Sequence, residues 1–349
     1  MNRACLAALA CAAALAAAGA SGTGAAPDPL PERLSQTGLF VPGTTTVRDD
    51  VLRFSPQYPL WSDGASKQRW IRLPAGASID ASDPDAWSFP PGTKLWKTFG
   101  FGAPAETRLI ERLPDGTWRF AAYVWEADGR DATLAPADGA VIAVAGAPGG
   151  RHVVPSRQDC LACHEGASVP VLGFSALQLS PDRDPLAPHA EPRGAGDTDL
   201  ATLAATGRLR NLPPALLAQP PRIAARSGVE RAALGYLHAN CGHCHNDAGA
   251  LGRLDLSLGQ RAVEAGGAAR TLASLVGRDS RFRAAGSGGT QRIAASRDGQ
   301  SVLALRMKTR NPLARMPPLG VQVVDDEGVA LVERWIRQDV QPTTAGDPR

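Results

Sequence analysis

Four cysteines fall in two C-x-x-C-H motifs, Cys160-Leu161-Ala162-Cys163-His164 and Cys241-Gly242-His243-Cys244-His245. The other two, Cys5 and Cys11, lie within the first twenty residues. Two thiols about one turn apart, followed by an imidazole, suit covalent attachment of a haem. Each thiol can form a thioether to one vinyl group, and the histidine supplies the proximal nitrogen to iron. The pattern predicts two haem c groups (iron), attached through Cys160, Cys163, Cys241 and Cys244, with His164 and His245 as iron ligands. A redox C-x-x-C pair would leave both histidines without a reason. A four-cysteine zinc site normally has its pairs about fifteen to twenty residues apart, whereas residues 164–240 separate Cys163 from Cys241.

Few side chains could reach the opposite face of either iron. Met316 sits in Arg315-Met316-Pro317-Pro318-Leu319-Gly320, where proline rings restrict the backbone that would present a thioether. It is the predicted sixth ligand of the C-terminal haem, and such ligation raises the reduction potential. Met307 falls on a predicted helix over Ser301–Lys308 and reads as core. For the N-terminal haem the candidates stay open: His152, His189, His238, or a vacant or water-bound position. No Ser/His/Asp triad pattern and no phosphate-cradling glycine loop is visible.

These groups need elements to hold them. The chain of 349 residues is 44% hydrophobic and 20% charged, with a formal net charge of +3. That excludes wholesale disorder and a dedicated nucleic-acid binder. Residues 1–20 read as a secretory signal peptide: Arg3, an Ala/Leu run, then small residues. No later run is long and apolar enough to span a bilayer. Residues 21–50 read as a Pro/Gly-rich arm or linker. Residues 51–150 form a β-rich domain, with strands expected at Lys67–Leu73, Lys94–Phe101, Glu106–Leu113, Thr117–Glu126 and Ala140–Val144, separated by Gly, Pro and Asp turns. Residues 151–225 carry the first haem motif. Residues 226–340 have the layout of a class I cytochrome c-like domain: a helix over Val229–Ala239, the second motif, Met316, and a final helix opened by Asp325-Asp326-Glu327. The two helices are expected to cross, with Gly235 admitting Trp335. The expected fold class is α+β: an N-terminal antiparallel β-sandwich-like domain, then a mainly α-helical c-type cytochrome region.

The chain resembles the two-haem c-type cytochromes often encoded beside a parallel β-helix protein. The resemblance rests on Tyr58-Pro59-Leu60-Trp61-Ser62-Asp63-Gly64-Ala65-Ser66-Lys67, on Glu106-Thr107-Arg108-Leu109, and on Pro155-Ser156-Arg157 with the first motif. It continues through Leu172-Gly173-Phe174, Tyr236-Leu237-His238-Ala239-Asn240-Cys241 and Met316-Pro317-Pro318-Leu319. It implies a periplasmic or cell-surface redox protein and brings no established substrate. The functional expectation is electron transfer with redox partner proteins. Arg306, Lys308, Arg310 and Arg315, without an acid among them, suggest that such a partner is acidic. The alternatives are a dihaem peroxidase-like enzyme with an open first haem, and a haem-based redox or gas sensor.

Overall fold

The central strands are rich in aromatic and aliphatic residues and are buried on both faces over their middle, and they turn where glycine supplies a positive φ, as at Gly102 (φ 88°) between two long strands. The structure, a computed structural model, describes residues 29–263, 267–283 and 288–341. The leader expected at residues 1–20, with Cys5 and Cys11, lies outside the described residues.

The strands are β1 (Leu52–Arg53), β2 (Ser66–Arg72), β3 (Ile79–Asp80), β4 (Lys94–Phe101), β5 (Ala103–Arg112), β6 (Trp118–Trp125), β7 (Ala132–Leu134), β8 (Ala140–Ala143), β9 (Arg151–Val154) and β10 (Leu209–Arg210). The helices are α1 (Arg157–His164), α2 (Leu200–Ala205), α3 (Ala215–Ala218), α4 (Gly228–Asn240), α5 (Gly267–Leu275), α6 (Val302–Lys308) and α7 (Asp326–Gln338). The fold is thus mixed α and β. One six-stranded antiparallel sheet has the order β1-β2-β4-β5-β6-β7, and β3/β10 and β8/β9 form separate two-stranded ladders.

This corrects the expectation of a sandwich. Ile71, Leu95 and Ile110, on one sheet face, pack with Val171, Phe174, Leu179, Leu200 and Leu203 from beyond the strands. Loops and a short helix cover that part of the face, where a sandwich would use a second large sheet. On the opposite face the Trp96 indole donates to Thr37 Oγ1 at 3.0 Å, and Leu34 and Leu39 are fully buried. Residues 33–40 therefore pack into the fold.

Helices α4 and α7 cross in a second core that includes Leu234, Leu237, Val332, Trp335 and Ile336. The expected role of Gly235 needs correcting. A Cβ there would overlap the Tyr58 ring, so this glycine admits Tyr58. Gly328 provides the close approach of α7, lying against the ring of Tyr236 on α4. Among the described residues, no helix is long and apolar enough to cross a membrane.

Candidate functional site

The first motif lies on α1, which starts cleanly because Ser156 caps it: its hydroxyl accepts from the Asp159 amide at 3.0 Å, and Asp159 accepts back from the Ser156 amide at 3.0 Å. Cys160, Cys163 and His164 then occupy the last turns of the helix. The second motif leaves the end of α4, and backbone bonds from Cys244 (3.1 Å) and His245 (2.9 Å) to the Cys241 carbonyl fold it into a turn. All four thiols are free and partly buried.

Both motifs line one cavity of about 820 Å³, which also receives Met316. Ligand sites typically enclose about 300–1,000 Å³. The two motifs also touch. Asn246 donates to the carbonyls of Gly242 (2.9 Å), His243 (3.0 Å) and Gly166 (2.9 Å), so one side chain ties the second motif to the residues just after the first. A hydrogen bond with Cys244 is the main cause holding the Cys163 thiol up at about 12 and Cys244 below its ordinary value. Burial alone pushes the Cys241 thiol up to about 12.

The two motif histidines are held differently. His164 Nδ1 lies 2.5 Å from the Pro170 carbonyl, an acceptor that fixes the tautomer and leaves Nε2 bare. Burial pushes this imidazole down to about 4, with Lys97 and Arg108 adding to the effect against Pro170. His245 has a buried Nδ1 without a partner and is fixed through its backbone, whose carbonyl accepts from Leu258 at 2.9 Å. A neutral imidazole with an exposed lone pair can hold a metal, and a thiol beside it can bond a cofactor covalently. Among the described residues, no three His, Cys, Asp or Glu side chains converge on a bare metal ion.

Met316 reaches the cavity on a loop whose amide donates to the Arg306 carbonyl at 3.0 Å. Met307 is only 7% exposed and belongs to the α4/α7 core. The three candidate histidines are engaged elsewhere. His189, outside the cavity lining, places Nε2 2.8 Å from Asp325 and Nδ1 3.3 Å from Glu327, with its ring 4.6 Å from that of Trp61. His238 Nδ1 accepts from the Gln260 amide at 3.0 Å, so the neutral ring carries its proton on Nε2. His152 Nε2 meets Glu106 at 2.7 Å.

The resemblance singles out Tyr58–Lys67, and the fold gives this string a role in holding the site that its residues alone did not show. Tyr58 packs on α4 at Gly235, and the Trp61 amide donates to Asn240 Oδ1 at 2.7 Å, one residue before the second motif. Asp63 accepts from the amides of Gln322 (2.8 Å) and Val323 (3.0 Å), just beyond the Met316 loop. This segment clasps the sheet to both walls of the cavity. No family model, curated protein or solved structure matches the chain.

Proposed function

We propose that the chain is an exported dihaem c-type cytochrome that passes single electrons between redox partners in the periplasm or at the cell surface. The observation that carries this reading is the meeting of both C-x-x-C-H motifs on one cavity, tied to each other by Asn246. The residues fit the group: four free thiols and two motif histidines line the cavity, and His164 keeps Nε2 bare. When bound, a c-type haem supplies a one-electron iron couple. The chain's own residues do the positioning. Cys160 and Cys163 would anchor one group and Cys241 and Cys244 the other. His164 and His245 would take the proximal positions, and Pro170 orients His164. Met316 would take the sixth position at the second motif, where a thioether favours reduced iron. Asn246 keeps the two motifs adjacent, which shortens the path between them.

A second reading, a dihaem peroxidase-like enzyme or a haem-based sensor, draws on one observation. His152, His189 and His238 each have a ring nitrogen on another partner, which favours an open sixth position at the first motif.

Mass spectrometry of the denatured, exported protein tests the main reading. The expected mass includes two haems retained through denaturation, one on the peptide of each motif. A mass equal to the bare polypeptide would refute it.

A further inference from the structure

One row of the six-stranded sheet carries three cations side by side. Arg69 on β2 pairs in register with Lys97 on β4, and Lys97 pairs with Arg108 on β5. Strand alternation puts all three on one face, and all three line the cavity beside the first motif. Like charges directly opposite one another destabilise a sheet, so this row needs compensation.

The compensation present is partial. Arg69 pairs with Glu191 at 2.5 Å, and Arg108 is gripped by both oxygens of buried Glu106 at 2.7 and 3.0 Å. Yet Arg69, 5% exposed, keeps a buried Nη2 without a partner. Among the described residues, no carboxylate lies within ion-pair distance of Lys97, whose ammonium sits 4.8 Å from the Phe99 ring centre. On the same face, one step along the strands, Lys67 adds a fourth cation opposite Phe99 and Glu106. Glu106 and Glu191 thus pair with two of the four cations, and Asp63 and Asp325 also act on Lys67. Burial and the charges of Arg69, Lys67 and Arg108 push Lys97 well below its ordinary value. An anion entering the cavity restores the ammonium and satisfies Arg69 at once.

We propose that Arg69, Lys97 and Arg108 form a carboxylate-binding wall that takes the propionates of the haem attached at Cys160 and Cys163. This rests on the dihaem reading above and adds to it the side chains that would orient the group. The wall lies in register along one row of the sheet, and a propionate carboxylate would meet Lys97 and the unpartnered Nη2 of Arg69.

The test uses the dihaem protein with Lys97→Met, Lys97→Arg and Lys94→Met. Lys94 is on the same strand but on the other face, paired with Glu111 at 3.3 Å, so its removal controls for net charge. Removing a cation from a carboxylate favours oxidised iron. Lys97→Met should therefore lower one haem potential enough to change its oxidised-to-reduced ratio about tenfold, or about 59 mV, as expected for one charge lost from a low-dielectric pocket. The other haem should keep its potential, and the propionate bending mode in resonance Raman should shift. Lys97→Arg should restore both signals, and Lys94→Met should leave them unchanged. Unchanged potentials and an unchanged propionate mode in Lys97→Met overturn the proposal. So does a spectral shift on adding acetate to the wild type that Lys97→Met abolishes without moving the propionate mode, since the wall would then serve a free carboxylate. Absence of haem from the Cys160–Cys163 peptide overturns both this proposal and the dihaem reading. Peptide mass distinguishes that outcome from a haem that is present but indifferent to Lys97.

Discussion

Met307 and Met316 share one short stretch of sequence, and their surroundings give them different work. Met307 is 7% exposed and belongs to the core of α4 and α7 while also lining the cavity, whereas Met316 lies partly exposed on the loop that enters it. Met307→Ala should cost about 2–5 kcal/mol of stability through the void it leaves. On the dihaem reading it should keep the Met–iron charge-transfer band at the red end of the oxidised spectrum. Met316→Ala should abolish that band and lower one haem potential, with little change in unfolding midpoint. Spectra and denaturation curves of the two variants check the assignment, and exchanged outcomes would reverse it. At this scale the sequence was most informative where chemistry demands fixed spacing, as in the two motifs. It was least informative for His152, His189 and His238. Their partners Glu106, Asp325 and the Gln260 amide are brought to them by the fold, and a ring nitrogen's availability depends on those partners.

Secondary structure was legible where runs of aromatic and β-branched residues lie between turn residues and where a helix buries one face. The expected strand over Lys94–Phe101 matches β4, and the helix expected over Val229–Ala239 matches α4 to within one residue at each end. What covers a face was not legible, because such patterns report burial and are silent on the partner. For that reason a sandwich was expected where loops and α2 pack, and Trp335 was expected where Tyr58 sits. Helix α7 shows what a junction between elements contributes. Its cap Asp325 accepts from the Gly328 amide (2.9 Å), Tyr236 on α4 (2.9 Å) and His189 (2.8 Å). Burial pushes this carboxyl up, but the His189 bond, the Gly328 amide and Tyr236 outweigh it and hold the group below its ordinary value. A carboxyl with a lowered folded value contributes fully above the unfolded value of about 3.9, and the contribution is lost as pH falls through the folded value. Asp325→Ala should thus cost about 1–2 kcal/mol near neutrality, as for a lost cap. Its unfolding free energy should also fall less steeply than the wild type's below about pH 4. Chemical denaturation across that range measures both effects.

For the molecule as a whole, the basic stretch near Met316 is less free than its sequence suggests. Arg306 donates to the Ala314 carbonyl at 2.7 Å, Arg310 donates to the Met307 carbonyl at 2.7 Å, and Lys308 pairs with Glu333 at 2.7 Å. Arg306 therefore braces the Met316 loop, Arg310 ties back to the end of α6, and Lys308 is the exposed one. Electron exchange with an acidic redox partner should slow as salt rises, because screening shortens from about 10 Å at 0.1 M to about 3 Å at 1 M. Lys308→Gln should flatten that dependence with both potentials unchanged, while Arg306→Gln should also disturb the Met–iron band. Stopped-flow rates against ionic strength give the answer, and rapid peroxide turnover by half-reduced protein without salt-sensitive exchange would favour the enzyme reading. The clasp of Asp63 on Gln322 and Val323 joins chain segments 259 and 260 residues apart. Closing so long a loop is slow, and it must wait until residues 322 and 323 are available. On the proposed reading of an exported dihaem protein, both attachment sites would precede that closure in chain order. On that reading, the interval before closure is the maturation window, and a variant that closes the clasp sooner would be expected to leave the periplasm stocked with half-loaded protein.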